Sequence, residues 1–291
     1  MLYLMMRHGS IRRPSLAALG VALLCCFGIV GATLAASSGQ SPWSGQGKSK
    51  VRLVSGLVEQ QGEPARFAGV QLRMEQGWKT YWRNPGDSGV PPSFDWSGSK
   101  NVKSIDVFYP VPHRFADANG TAIGYEDEVV FPVKVTPEQA NKPVQLSLTF
   151  DYGICKDLCI PNSADLTAVL PADLGKGDGR LIGQAVKRVP APAGPDTLPR
   201  LGAVTAHLEG DEPTLEVEAL FSPGATHTDL FVTSSEILVP VPKALGPLED
   251  GRQRYSVVFP TAEEGAAIKG KPLIFTLVSD QGSSETTRVE P

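Results

Sequence analysis

From Val144 to Tyr152 the chain alternates without a break: Val144, Leu146, Leu148, Phe150 and Tyr152 are apolar, while Gln145, Ser147, Thr149 and Asp151 are polar. A period of two places the apolar set on one face of an extended strand, half buried in a sheet. Three residues further on come Cys155 and Cys159, in the segment Tyr152-Gly153-Ile154-Cys155-Lys156-Asp157-Leu158-Cys159-Ile160-Pro161. A continued extended path would hold the two cysteine Cα atoms about 13 Å apart. A disulfide tolerates only about 4.4–6.8 Å. If the pair bonds, the chain must therefore bend between the cysteines, in a turn or a single helical turn. Gly153 and Pro161 are suitable punctuation on either side. The strand thus delivers the pair to the edge or end of a sheet, where a partner could reach it.

The same texture extends over most of the chain. Phe67, Val70, Leu72 and Met74 lead into Trp78, Tyr81 and Trp82, and the run Asn84-Pro85-Gly86-Asp87-Ser88-Gly89 then breaks the pattern with turn residues. Val102 to Phe108, Glu128 to Val135 and Leu166 to Leu170 read as further short strands. After them come Leu215 to Leu220, Asp229 to Thr233, Tyr255 to Phe259 and Leu273 to Val278. With 30 Gly and 25 Pro in 291 residues and few helical patterns, the fold class expected is all-β, as two immunoglobulin-like β-sandwich domains. The expected organisation is a signal peptide over 1–35, a Gly/Ser-rich flexible leader over 36–50, a first sandwich over 51–172, a Pro/Gly-rich linker over 173–199, and a second sandwich over 200–291. The linker includes a short helical pattern from Leu181 to Val189, followed by Pro190, Pro192, Pro195 and Pro199, a density that favours a semi-rigid spacer.

Residues 1–35 read as an export signal. Arg7, Arg12 and Arg13 precede an uncharged stretch from Leu16 to Leu34, and Thr33-Leu34-Ala35 with Ala36 supplies small residues for cleavage. The competing reading is an uncleaved anchor, because nineteen apolar residues could just span a bilayer. Cleavage would remove three Arg and no acids, moving the formal charge from −4 to −7. An acidic chain without a basic run argues against nucleic acid as a partner. No later segment is long and apolar enough to span a membrane. The expected localisation is the periplasm, with no stable membrane insertion after cleavage.

Of the four cysteines, Cys25 and Cys26 fall inside the signal, leaving one pair in an oxidising compartment. Three readings of the pair remain open. As a structural staple it contributes little, because the chain-entropy model gives a five-residue loop only about 2 kcal/mol against about 4.7 for a hundred-residue loop. As a small ring at a surface it is the reducible, exchange-competent kind. Lys156 would favour a thiolate and Asp157 oppose it, so neither sulfur is singled out as the nucleophile. As a pair of soft thiolates it suits Cu(I), with a third ligand from His113, His207 or His227, none of which has paired-ligand spacing. Glu126-Asp127-Glu128 reads as a solvated acidic run rather than a carboxylate site. Trp78, Tyr81, Trp82 and Trp96 read as core or sheet surface rather than a binding box. No phosphate loop, nucleophile elbow or His-Glu-x-x-His motif is present.

Three segments in order carry a family likeness: Gly77-Trp78-Lys79-Thr80-Tyr81-Trp82-Arg83, then Tyr125-Glu126-Asp127-Glu128-Val129-Val130-Phe131-Pro132-Val133, then Tyr152 through Pro161. Together they resemble the N-terminal periplasmic domain of the DsbD family of thiol:disulfide interchange proteins, with the closer likeness to the ScsB-like branch linked to copper tolerance. The likeness covers about residues 50–172. It implies an immunoglobulin-like sandwich that carries electrons on two cysteines, here Cys155 and Cys159, without a cofactor. The implied partners are periplasmic thioredoxin-like proteins and a membrane electron donor. By position, Tyr81 matches an aromatic residue beside the pair. The family's cap loop would fall within His113 to Gly124, with Phe115 as the shielding aromatic. Two departures stand out. The cysteine spacing is shorter than in the best-known members, and no membrane or thioredoxin domain follows. The resemblance therefore implies a separate membrane donor, or a remnant of a larger protein. The copper-binding module and a non-catalytic interaction domain with a structural disulfide stand as the alternatives to exchange.

Overall fold

The computed structural model describes residues 39–289 apart from 46, 61–62, 118–119, 174, 176 and 211; the expected signal peptide lies outside the described residues. In chain order the first strands are β1 (Ser49–Gln60), β2 (Glu63–Met74), β3 (Lys79–Gly86), β4 (Ser93–Asp95) and β5 (Val102–Val107). They are followed by β6 (His113–Asp117), β7 (Gly120–Glu126), β8 (Glu128–Pro137), β9 (Val144–Cys155) and β10 (Cys159–Leu170). A helix, α1 (Gly179–Val186), leads to β11 (Ala191–Pro192), β12 (Arg200–His207), β13 (Thr214–Leu220), β14 (Asp229–Thr233), β15 (Lys243–Ala244) and β16 (Arg252–Val258). A short helix, α2 (Ala262–Ala266), precedes β17 (Pro272–Ser279) and β18 (Gly282–Val289).

The protein is all-β, built as two sandwiches. The first packs a sheet ordered β1-β2-β8-β5 against one ordered β10-β9-β3-β7-β6, with β4 added on β9. The alternation read from the sequence is the packing rule. Val144, Leu146, Leu148, Phe150 and Tyr152 are buried, while Gln145 and Asp151 are exposed. Their rings and branches meet Leu53, Val70, Leu72, Phe131 and Val133 from the facing sheet. Phe131 lies edge-on to Phe94, Tyr109 and Tyr125, and Phe150 stacks on Tyr152 at 4.7 Å. Trp82 is fully buried in this core, while Trp78 and Trp96 are partly buried against it. The second sandwich pairs β11-β18-β17-β14 with β12-β13-β16-β15 around Leu215, Val217, Leu230, Tyr255, Phe275 and Leu277.

The described residues form one compact unit. The Pro-rich stretch contributes α1, whose Ile182 is fully buried with Val54, Val58 and Phe67 on the outer face of the first sheet. Strand β3 runs through the expected Asn84–Gly89 break as far as Gly86, with an irregularity in its pairing to β7 between Tyr81 and Gly86. The reason is tertiary. The Asn84 side chain accepts a hydrogen bond from the Gly86 amide and donates to the carbonyls of Val232 and Val239 in the second half. Beside it Trp82 meets Phe231 edge-to-face at 5.5 Å, a contact worth about 0.5–1.5 kcal/mol beyond its burial.

The aromatic core makes the fold sensitive to alkali. Burial pushes the Tyr109 phenol up to about 12, with Arg83 pulling the other way, and burial also raises Tyr125 and Tyr152. A phenol raised in the folded state stabilises the fold below the unfolded value of about 10 and loses that contribution as pH climbs through its folded value. Unfolding free energy is therefore expected to fall between about pH 10 and pH 12. Denaturant titrations across that window, with phenolate absorbance followed in parallel, check this.

Candidate functional site

The bend between the cysteines is a β-hairpin. β9 and β10 pair antiparallel over their whole length, from Leu170 opposite Val144 to Cys159 opposite Cys155. Lys156, Asp157 and Leu158 close the three-residue connection, and the two sulfurs are bonded, with Cα atoms 4.1 Å apart. Directly opposed residues share a face of the sheet. Ile154 and Trp82 point into the main core, so their neighbours Cys155 and Tyr81 point the other way. They meet there with Ala122 in a small buried cluster, against which Phe115 packs.

The two cysteines differ sharply in access. Cys155 is buried and Cys159 is exposed. The cause is strand order. Cys155 lies on β9 with Lys79 of β3 as its partner on one side and Cys159 on the other. Cys159 lies on β10, the outermost strand of the sheet. Leu158 beside it is 70% exposed, so the hairpin tip presents an apolar side chain next to the reachable sulfur.

The Tyr81 side chain reaches both sulfurs. Its hydroxyl donates to Cys155 Sγ at 2.6 Å and lies 3.3 Å from Cys159 Sγ. Gly89 makes this placement feasible. Its φ is +127°, and a Cβ there would stand 2.2 Å from the Tyr81 ring, so only glycine lets the loop lie against the ring. Gly124 on β7 meets the same need on the other side, since its Cβ would fall 1.9 Å from the Thr80 carbonyl oxygen. Thr80 in turn donates to the Gly153 carbonyl at 2.8 Å, which ties β3 to the strand leading into Cys155.

Phe115 sits on strand β6 of an edge hairpin, where a cap loop was expected, because β6 and β7 pair from Asp117–Gly120 to His113–Gly124. It is partly buried, and the Lys79 ammonium stands 4.6 Å from its ring centre, a cation–π contact. Lys79 was not singled out from the sequence. It lies within the first quoted segment, two residues before Tyr81, and a period of two places both on the site face.

The other sequence candidates lie elsewhere. His113 is near Phe115, with ring centres 6.5 Å apart, while His207 ends β12 and His227 precedes β14. Among the described residues no group of three or more His, Cys, Asp or Glu side chains is placed to hold a metal ion. Asp127 accepts a hydrogen bond from the Gly77 amide, and Glu128 pairs with Arg73 and Gln71, so the acidic run serves the turn between β7 and β8.

Residues 58–171 match the family model described as thiol:disulfide interchange protein DsbD, N-terminal. Among solved structures, the crystal structure of the N-terminal periplasmic domain of ScsB from Proteus mirabilis superposes with a TM-score of 0.65 at 21% identity. The match covers 87% of this chain and 99% of that one, and at that identity it establishes a shared fold. No curated protein sequence matches the chain.

Opposite exposure of the two cysteines gives a direct expectation. After reduction, Cys159 should be alkylated at least about tenfold faster than Cys155. Brief iodoacetamide labelling and peptide mass spectrometry check this, and equal labelling would contradict the geometry.

Proposed function

We propose that this chain, whose residues 58–171 match the DsbD N-terminal family model, is a thiol–disulfide interchange protein that exchanges electrons through Cys155 and Cys159. The observation that carries the reading is the asymmetric pair: an exposed sulfur on an edge strand, bonded to a buried one whose neighbour is a hydroxyl donor.

In the direction of reduction, a partner thiolate attacks Cys159 Sγ. The Cys155–Cys159 bond breaks, a mixed disulfide forms between the partner and Cys159, and the electron pair leaves on Cys155 as a thiolate. The Tyr81 hydroxyl, already aimed at Cys155 Sγ, donates to that developing charge, and hydrogen bonds to ionised groups are the strong class. The partner's second thiolate then attacks the partner's own sulfur in the mixed disulfide and releases Cys159 as a thiolate. Two electrons have moved, and the partner's dithiol has become a disulfide. In the reverse direction Cys159 attacks the partner and Cys155 resolves the complex. Phe115, held by Lys79, covers the buried side of the bond and limits reaction with small thiols and oxidants.

The partners proposed are periplasmic thioredoxin-like proteins, with a separate membrane protein as electron source. The similar ScsB domain is periplasmic, and the same location is proposed for this chain. No helix among the described residues is long and apolar enough to cross a membrane. Leu158, 70% exposed, adds apolar contact beside the reactive cysteine, as docking of another protein requires.

Two measurements test the reading. In cells, Cys155→Ser should trap partners as mixed disulfides on Cys159, and Cys159→Ser should trap few. The converse pattern would make Cys155 the attacked sulfur, while no trapping on either variant, or a reduction potential below about −300 mV, would make the bond structural. Tyr81→Phe keeps the ring and removes the donor. It should slow reduction by dithiothreitol roughly tenfold, the equivalent of about 1.4 kcal/mol of leaving-group stabilisation.

A further inference from the structure

The small cluster beside the sulfurs is built from Tyr81, Ala122, Cys155 and Phe115 of the first sandwich, and the second sandwich grips both strands that shape it. On β3, just past Tyr81, Arg83 pairs with Glu285 and donates to Thr276, and Asn84 donates to two carbonyls of the second half. On β6, just before Phe115, Arg114 donates from Nε to Asp229 Oδ2 at 2.7 Å and from its terminal nitrogen to the Leu230 carbonyl at 2.8 Å. Its guanidinium also lies 5.2 Å from the Phe231 ring centre. Arg114 and Asp229 are each about three-quarters buried, the geometry in which a charge-assisted pair is least screened.

The placement on β6 matters most. This strand has five residues, pairs only with β7, and forms the outer edge of its sheet. Short edge elements open locally at low cost unless something holds them. Adjacent residues of a strand point to opposite faces, so Arg114 faces the second sandwich while Phe115 faces the sulfurs. One strand thus links an anchor in the second sandwich to the cover of the disulfide.

We propose that the second sandwich sets access to the Cys155–Cys159 bond, with Arg114 and Asp229 as positioning residues that hold β6, and hence Phe115, closed over the site. This rests on the interchange reading above, in which Phe115 is the cover. Release of the Arg114 clamp, by mutation or by a partner that competes for Asp229, frees the edge strand and exposes the buried side of the bond.

The test is the second-order rate of reduction of the full oxidised protein by dithiothreitol, with circular dichroism and the unfolding midpoint recorded for each variant. Phe115→Ala, Arg114→Gln and Asp229→Asn should each raise the rate, Arg114→Gln by roughly tenfold. Arg114→Gln should add nothing in a Phe115→Ala background, because both act on one cover. The charge swap Arg114→Asp with Asp229→Arg should return the rate toward that of the wild type, which a merely damaged fold would not allow. Fast Phe115→Ala beside unchanged Arg114→Gln overturns the anchor alone. Equal gains from Arg114→Gln with and without Phe115 also overturn it. An unchanged rate in Phe115→Ala overturns the cover, and with it both readings of this strand.

Discussion

The register of a single hairpin governs the site. Twelve opposed pairs run from Val144–Leu170 to Cys155–Cys159, and a slip of one residue would turn every side chain of one strand to the wrong face. The buried set on β9, ending in Phe150, Tyr152 and Ile154, makes such a slip costly, because it would expose rings packed against Phe131 and its neighbours. The hydrophobic core thus holds two sulfurs opposite each other at the far end of the hairpin. The disulfide needs no special backbone beyond the three-residue connection, since the sheet has already brought its partners together.

The same strands that build the core also build the site, on their other faces. β3 sends Trp82 inward and Lys79 and Tyr81 outward. β9 sends Ile154 inward and Cys155 outward, and β7 sends Ile123 inward and Ala122 outward. A small apolar cluster therefore sits on the outside of a sheet, backed by the sandwich core. This arrangement makes the two cysteines unequal. Interior position on β9 buries one, and edge position on β10 leaves the other accessible, with no difference in their immediate sequence required.

The second sandwich joins the first through a mixed surface. Trp82 and Phe231 supply the apolar contact, and Arg83, Asn84 and Arg114 supply hydrogen bonds to carboxylates and carbonyls. Arg83 also lies over the Trp82 and Tyr109 rings. These residues follow or precede the site residues by one to three positions on the same strands. Events at this surface and at the sulfurs consequently share a backbone, which is the physical route by which one half can influence the chemistry of the other.

Much of this was legible in the amino-acid order. The period-two pattern marked β9 and the strands of the second half, because a half-buried strand must alternate. The spacing of Cys155 and Cys159 required a bend, because a disulfide is shorter than four extended residues. Tyr81 and Phe115 entered through family likeness, since nothing local distinguishes a tyrosine beside a sulfur from one in a core. Tertiary structure alone decided which cysteine is exposed, that Lys79 stands over Phe115, and that Arg114 meets Asp229 across 115 positions. Those outcomes depend on strand order and on packing between sandwiches. Alternation fixes which face a side chain takes, but not which strand lies beside it.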